Sequence, residues 1–257
     1  MNDAEEIEQA CAAAWPAPVA RRRGDWLLRA AGGFTARANS ALVTGDPGIP
    51  VEQALEEVCE FAHAQDIDPV VQAIERSGIE RELAANGWRP YTEYARGNEV
   101  AVLINRADQA DQAEHDEVSV LTEPTPAWWR LAVGTTEPSP AQRHVVTTGA
   151  EVGFGFARAD DGVAGAVRGA LTHARGTGTL VLVSNLAVRD EHRRKGLGTA
   201  LLDGITRWAA HRGATHRVLQ VSVSNSAALA LYERRGFTRH HRYRYWVPGE
   251  KWKDREP

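Results

Sequence analysis

The sequence has few cysteines, no excess of positive charge and no long apolar run. Only two of its 257 residues are cysteine, too few for a disulfide framework, so we expect a reducing, cytoplasmic location. The formal net charge of −4 excludes a general electrostatic attraction to nucleic acid or to an anionic membrane. The longest apolar run, residues 180–188, is far shorter than a membrane-spanning helix requires. Any anion site must therefore be built locally.

The N-terminus also lacks the positive charge that opens a secretory signal. It carries Asp3, Glu5, Glu6 and Glu8 instead, so we expect no export signal. Apolar residues make up 43% of the chain and charged residues 25%, as in an ordinary soluble globular protein. The length suits two modest domains or one large domain.

A composition shift near the middle divides the chain. Residues 105–117 are rich in Asp, Gln, Glu and Ala, and residues 122–126 add prolines. We interpret 111–126 as a linker region between an N-terminal domain, 1–110, and a C-terminal domain, 118–250.

Apolar periodicity and capping residues predict alternating strands and helices, which together indicate a mixed α/β sheet. In the N-terminal half we predict strands at 25–31, 35–43 and 69–74, helices at 51–64 and 78–86, and an extended run from Trp88. In the C-terminal half we predict helices at 127–133, 140–147 and 226–235, a further helix that begins at Leu197 and stops at Gly213, and strands at 152–159, 164–172, 179–188, 218–223 and 237–246.

The two halves resemble each other weakly. The stretch VVQAIERSGIERELAANGW matches VLQVSVSNSAALALYERRGF in apolar pattern, with Gly87-Trp88 opposite Gly236-Phe237. This match indicates a domain duplication. Chance similarity between two strand-helix-glycine units remains the alternative.

A basic, glycine-containing turn precedes the amphipathic helix of the C-terminal half. The residues Arg193-Arg194-Lys195-Gly196-Leu197-Gly198 lead from an apolar strand into that helix. Glycine lets the backbone turn tightly, and the unpaired amides at a helix N-terminus favour an anion, so the turn predicts a diphosphate site. A P-loop and a dinucleotide-binding fingerprint fit this glycine and lysine spacing less well.

A second motif follows in the next predicted strand and helix. Asn225 comes after the strand at 218–223, Tyr232 lies in the next helix, and Gly236-Phe237 ends it. With Arg193-x-x-Gly196-x-Gly198 before them, these residues resemble the GCN5-related N-acetyltransferase (GNAT) superfamily. The resemblance is specific over 179–237 and extends over about 118–246. It implies the GNAT fold, a mixed, mostly antiparallel sheet flanked by helices, here in two tandem halves of which the first is degenerate.

The resemblance also implies an activity. Such a protein moves an acetyl group from acetyl-CoA to a primary amine, on a small molecule or a protein N-terminus, by direct attack in a ternary complex and without a metal. Tyr232 would be the catalytic acid that protonates the departing thiolate. The residues implied to bind the coenzyme are Leu186, Ala187, Val188, Arg193, Arg194, Lys195, Gly196, Leu197, Gly198, Thr199 and Asn225.

The general base does not carry over from the family. Gln220 and Leu182 stand at the two positions where family members carry glutamate. We leave the base unassigned. The candidates are Ser184 or Asn185, holding a water, and His173 or His216, acting directly.

Two other functions remain open. The missing glutamate is compatible with a non-catalytic acyl-CoA sensor. The terminal stretch 239–246 interleaves basic and aromatic residues, as nucleic-acid binders do, but a half-exposed terminal strand explains it better given the acidic net charge. We therefore expect an amine acceptor as partner, no nucleic acid, no membrane, and a monomer or homodimer.

Overall fold

The structure is a computed structural model that describes residues 2–109, 118–159 and 162–253. Residues 111–117 of the expected linker lie outside this range. Among the described residues, none of the helices has both the length and the apolar character needed to cross a bilayer.

The N-terminal half contains three helices and six strands among its described residues. They are α1 (Asp3–Ala14), β1 (Val19–Arg23), β2 (Trp26–Ala30), β3 (Ala41–Leu42), α2 (Val51–Ala64), β4 (Val71–Ile74), α3 (Gly78–Ala85), β5 (Trp88–Pro90) and β6 (Glu99–Arg106).

The C-terminal half contains the longer strands. Its elements are β7 (Val118–Leu121), α4 (Pro126–Val133), α5 (Pro140–Thr147), β8 (Glu151–Ala159), β9 (Gly162–Ala174), β10 (Gly178–Val188), α6 (Leu197–Ala210), β11 (His216–Ser222), α7 (Ser226–Arg234), β12 (Thr238–Pro248) and α8 (Glu250–Lys253).

All the strands join one sheet. Their order is β1-β2-β3-β4-β12-β6-β11-β10-β9-β8-β7, with β5 also beside β12. Among the described strands, β3 with β4 and β10 with β11 are parallel, whereas the other neighbours are antiparallel. The predicted fold class, a mixed and mostly antiparallel sheet flanked by helices, is confirmed.

The two halves exchange their last strands at the centre of the sheet. The N-terminal strand β6 pairs with β11, the C-terminal strand β12 pairs with β4, and β6 and β12 pair with each other. Each half thus covers a sheet edge of the other, which would otherwise be open to water. The sheet continues across the predicted boundary, and the division into two domains stays a prediction.

The internal repeat is visible in the connections. In each half a helix joins two parallel strands and a further helix follows, as β3-α2-β4-α3 and as β10-α6-β11-α7. Gln72 of β4 and Gln220 of β11 occupy the same position in the two repeats, after Val-Val and Val-Leu. This correspondence supports the proposed duplication.

Side chains of β11 alternate between two cores. Leu219 and Val221 pack with α6, whereas Val218 packs in the core that contains α1. Gln220 therefore lies on the α1 face. This face is important because α1 and α4 cover it from opposite halves of the chain.

Five elements were not predicted: α1, β1, β6, β7 and α8. The polar segment from residue 105 was expected to be a connection, but Asn105 and Arg106 end β6, and Asn105 is buried with its Nδ2 donating to the Arg235 carbonyl at 3.0 Å. The prediction was wrong there because polar composition does not reveal a partner 130 residues away. Residues 35–43 are likewise less extended than expected, with a 3-10 turn at Ala36–Ala38 and a short β3.

The terminal strand β12 is also placed differently. It was expected to be half-exposed, and Thr238, Arg239 and His240 are indeed exposed, but the strand pairs on both sides in the interior of the sheet. Its tyrosines, Tyr243 and Tyr245, are buried, and Arg244 forms ion pairs with Glu75 and Glu99 at 2.8 Å. These three side chains are therefore used within the fold.

Candidate active site

The two parallel strands β10 and β11 separate partway along their length. Their pairing ends at Val183 and Leu219, after which β10 follows β9 and β11 follows β6. A bulge between Ser184 and Ala187 bends β10, with Asn185 at φ 53°, a conformation that asparagine tolerates better than most residues. Within the described chain, residues 186–188 have no strand partner on the β11 side, so this side of the strand is open to a ligand, apart from the Val188 carbonyl, which accepts from Arg193 Nε.

Unpaired polar atoms lie where the strands part. Ser184 is 7% exposed, and its Oγ has no hydrogen-bond partner among the described residues. Asn185 donates through Nδ2 to the Ala132 carbonyl of α4 at 3.1 Å, but its buried Oδ1 has no partner there either. Buried polar atoms usually have a hydrogen-bond partner. These two unpaired oxygens therefore indicate that a ligand or a water lies between the separated strands.

The turn between β10 and α6 presents unpaired amides. Arg194 has φ 63° and Gly196 has φ 89°, so both lie in the left-handed region. The first N–H bonds of the helix come from Thr199 and Ala200, which donate to the Gly196 carbonyl at 2.9 and 3.0 Å. Within the described chain the N–H groups of residues 194–198 have no acceptor. Unpaired amides of this kind, at the positive end of a helix, favour an anion.

The basic side chains of the turn differ in their contacts. Arg193 ties the turn to β10, because its Nε donates to the Val188 carbonyl at 3.1 Å and its Nη2 pairs with Asp190 at 2.7 Å. Arg194 and Lys195 are exposed and add positive charge beside the free amides. The amide of Thr199, expected in the same set, is already used within the helix.

The next helix brings Asn225 and Tyr232 to the same region. Asn225 caps α7 by accepting from the Ala228 N–H at 3.1 Å, and its Nδ2 has no acceptor in the described chain. Leu231 lies beside the turn, 3.6 Å from where a Cβ on Gly198 would be. Tyr232 is 8% exposed and packs edge-on against Phe237. Burial raises the pKa of Tyr232 to about 12, so it holds its proton at neutral pH.

Two of the candidate bases do not reach this region. His216 pairs with Leu180 and His173 pairs with Thr179, at the end of the sheet opposite to the gap. Ser184 lies four positions after Leu180, which corresponds to about 13 Å along a strand. His173 and His216 are therefore wrong as candidates, whereas Ser184 and Asn185 lie where the strands separate.

A cavity of about 410 Å³ borders the end of β11 on the α1 face. From the C-terminal half it is lined by Gln220, Ser222, Ser224, Asn225, Tyr243 and Tyr245, and from the N-terminal half chiefly by Arg37, Tyr94 and Arg96. Its described lining thus contains two arginines and no carboxylate. The turn at 193–198 leads into α6, which packs on the Leu219 face of β11, whereas the cavity is lined by Gln220 of the other face.

Gln220 is held at both ends of its side chain. Its Nε2 donates to both carboxylate oxygens of Glu8 at 3.2 Å, and its Oε1 accepts from Arg37 Nη1 at 3.2 Å. Glu8, on α1, is 1% exposed and also accepts from Gln72 at 2.5 Å and from His241 at 2.9 Å. The two equivalent glutamines of the repeat therefore meet on one buried carboxylate.

Glu8 and Arg37 were missed as site residues. The acidic N-terminus served only to argue against an export signal, and no local pattern connects Glu8 to a residue 212 positions away. The repeated glutamine, Gln72 and Gln220, was the one signal in the sequence that could have pointed to a shared partner.

Comparison with known proteins identifies the family. The family model described as "Probable histone acetyltransferase Rv0428c C-terminal" matches residues 2–246. The chain belongs to this family of GNAT N-acetyltransferases. The uncharacterized N-acetyltransferase YobR of Bacillus subtilis is 29% identical over 253 residues, which cover 95% of this chain and 99% of YobR.

Solved GNAT structures share the fold of the whole chain. A GCN5-related N-acetyltransferase from Kribbella flavida superposes with a TM-score of 0.68 at 18% identity and covers 99% of both chains. A tandem GNAT protein from the clavulanic acid biosynthesis pathway has a TM-score of 0.59 at 19% identity, covering 80% of this chain and 74% of its own. The resemblance seen in the sequence is confirmed. In the described part of this GNAT chain no cluster of His, Cys, Asp and Glu is arranged to hold a metal ion.

Proposed function

We propose that this GNAT protein transfers an acetyl group from acetyl-CoA to a primary amine by direct attack within a ternary complex. The observation that carries the proposal is the gap between β10 and β11, with unpaired amides at 194–198 on one face and the cavity at Gln220 on the other. A donor and an acceptor can thus approach each other through the sheet. When bound, acetyl-CoA supplies the activated acyl group.

The turn before α6 would hold the coenzyme pyrophosphate. The N–H groups of residues 194–198 have no acceptor in the described chain, and Arg194 and Lys195 add charge there. Such a site suits a diphosphate because several N–H donors and a helix dipole converge on it. Arg193 would act indirectly, by fixing the turn to Val188.

The strand ends would hold the amide-containing pantetheine arm. Residues 186–188 offer backbone groups on the side facing β11, and Asn225 offers its Nδ2. Buried amides need hydrogen-bond partners, so these groups match the chemistry of that arm. The unpaired oxygens of Ser184 and Asn185 support the same placement of a ligand, directly or through a water.

Tyr232 would supply the proton that the departing sulfur requires. In the transfer the nitrogen lone pair forms the new N–C bond, the C–S bond breaks, and its electron pair stays on sulfur. Tyr232 protonates that sulfur and regains a proton from solvent, while the nitrogen gives its own proton to water. The raised pKa keeps the phenol protonated until the thiolate forms.

The test is release of free CoA thiol from acetyl-CoA in the presence of a panel of amines. The expected result is saturable, amine-dependent thiol release together with a matching N-acetylated product. Saturable acetyl-CoA binding without release from any amine would instead favour the acyl-CoA sensor. The fully hydrogen-bonded Gln220, at a position where relatives carry glutamate, is the observation in favour of that second function.

A further inference from the structure

We infer that the acceptor is a small amine that also carries an anionic group, and that Arg37 binds this group. The inference rests on the proposed transfer reaction, because it concerns the acceptor side of the gap. Arg37 would be a specificity residue from the N-terminal half, which otherwise has no role in the reaction.

Arg37 is oriented by the fold but not neutralised by it. It lies in the 3-10 turn between β2 and β3, and its guanidinium stacks on the Trp15 ring at 4.9 Å. One nitrogen donates to Gln220 at 3.2 Å, and no carboxylate of the described chain lies within ion-pair distance. The remaining N–H groups have no partner in the described chain, and Arg37 lines the cavity. A stacked guanidinium with open donors is well suited to a carboxylate or phosphate.

The cavity as a whole is positive. Arg96 is exposed at its edge, and the described lining includes no acidic side chain. The nearest carboxylate along the hydrogen bonds is Glu8, which lies behind Gln220, is 1% exposed and already accepts from Gln220, Gln72 and His241. It is therefore not available to bind a positively charged acceptor. Polyamines and lysine-rich segments should be disfavoured here by charge repulsion.

The position of Arg37 limits how far the anion is from the amine. Gln220 is the first β11 residue beyond the last pair with β10, and Arg37 is in direct contact with it. An anion on Arg37 thus lies within one side chain of the gap where the amine must react. With a cavity of about 410 Å³, this spacing fits a molecule of the size of an amino acid.

The same cations help to explain how the reaction can proceed without a lining carboxylate. A primary amine with a pKa near 10 is mostly protonated at neutral pH, and the protonated form cannot attack. Positive charge within a few ångströms favours the neutral amine and lowers its pKa. Because the anion of the bound acceptor offsets the charge of Arg37, Arg96 at the edge of the cavity is the lining cation that raises the reactive fraction of the amine.

The experiment compares acceptors that differ only in the anion. Phenylalanine and phenylalaninamide, glycine and glycinamide, and phosphoethanolamine and ethanolamine are titrated by calorimetry into the full chain saturated with CoA, with spermidine as the polycation. Thiol release from acetyl-CoA is measured with the same compounds. The variants are Arg37→Gln, Arg37→Lys and, as a matched control, Arg143→Gln, an exposed arginine on α5 outside the cavity lining.

The expected result is that at least one anionic amine binds about 10-fold or more tightly than its neutral partner. Arg37→Gln should abolish that difference and raise KM for the anionic amine by about 10- to 100-fold, with KM for acetyl-CoA unchanged. Arg37→Lys should retain part of the preference, and Arg143→Gln should retain all of it. The carboxylate and phosphate pairs decide which anion is preferred.

Equal or tighter binding of the neutral amines or of spermidine would overturn the inference, as would the absence of binding by every anionic amine. These comparisons in the wild-type chain decide the matter even if Arg37→Gln fails to fold. Binding with the predicted preference but without thiol release would contradict the transferase and leave the anion site standing. Thiol release without any preference for the anionic amines would support the transferase and contradict the anion site.

Discussion

At the scale of single residues, Tyr232 and Gln220 lie on opposite faces of the sheet. Tyr232 packs with the α6 core, whereas Gln220 faces α1 and the cavity. Burial raises the pKa of the Tyr232 phenol to about 12, so the phenol carries its proton at neutral pH, as a proton donor must. The same burial would also suit a purely structural tyrosine, so the two roles need a kinetic test.

We predict that Tyr232→Phe lowers kcat by about 100-fold, the low end of what general acid catalysis contributes, and leaves the Kd for acetyl-CoA unchanged. Tyr91→Phe, on a half-buried tyrosine that does not line the cavity at the gap, is the control. Because the wild-type phenol titrates only near pH 12, its ionisation should not lower kcat at any pH up to 10. An unchanged kcat in Tyr232→Phe would reject the acid role.

At the scale of secondary-structure elements, the turn into α6 depends on one glycine. Gly196 has φ 89°, and no other atom lies within 4 Å of the position that a Cβ would occupy. A larger residue there would therefore strain the backbone without causing a steric clash. The left-handed conformation aligns the N–H groups of residues 194–198 at the end of the helix.

We predict that Gly196→Ala weakens acetyl-CoA binding about 10-fold, because relief of about 1–2 kcal/mol of strain moves the amides. Gly213→Ala is a matched control: its φ is 88°, it also has open space, and it lies beyond the other end of α6. Both variants should lose similar thermal stability, but only Gly196→Ala should change the Kd measured by calorimetry. Equal affinities in the two variants would contradict the diphosphate site.

The elements also show what the sequence could reveal. The helices α2 and α5 begin and end at the predicted residues, because their apolar periodicity is local and α5 also has a capping box of Ser139 and Gln142. The turn at 193–198 and the motif residues Asn225 and Tyr232 were found for the same reason. By contrast, β6 is defined by its pairing with β11 and β12, and such long-range partners leave no local signature. The helix α1 did carry one, since Asn2 and Glu5 form a capping box.

At the scale of the whole molecule, the exchanged strands β6 and β12 make the N-terminal half part of the site. Its turn at Ala36–Ala38 supplies Arg37, and its first helix supplies Glu8. Glu8 accepts hydrogen bonds from Gln72 in its own half and from Gln220 and His241 in the other. This carboxylate therefore connects α1 to both repeats of the sheet.

We predict that Glu8→Gln lowers the free energy of unfolding by about 3 kcal/mol, measured by urea denaturation. The new amide group would present N–H donors to neighbours that already donate, and buried donors left unpaired are costly. Glu60→Gln, an exposed glutamate on α2, should change the free energy of unfolding by less than about 0.5 kcal/mol. A similar small loss in both variants would show that the Glu8 contacts do not hold the two halves together.

We propose that acetyl-CoA lies in the gap between β10 and β11. The most direct measurement is a crystal structure of the full chain grown with acetyl-CoA. We predict pyrophosphate oxygens within hydrogen-bond distance of the N–H groups of residues 194–198, and the pantetheine arm along residues 186–188. Acetyl-CoA bound at another place on the chain, with this gap empty, would contradict the account.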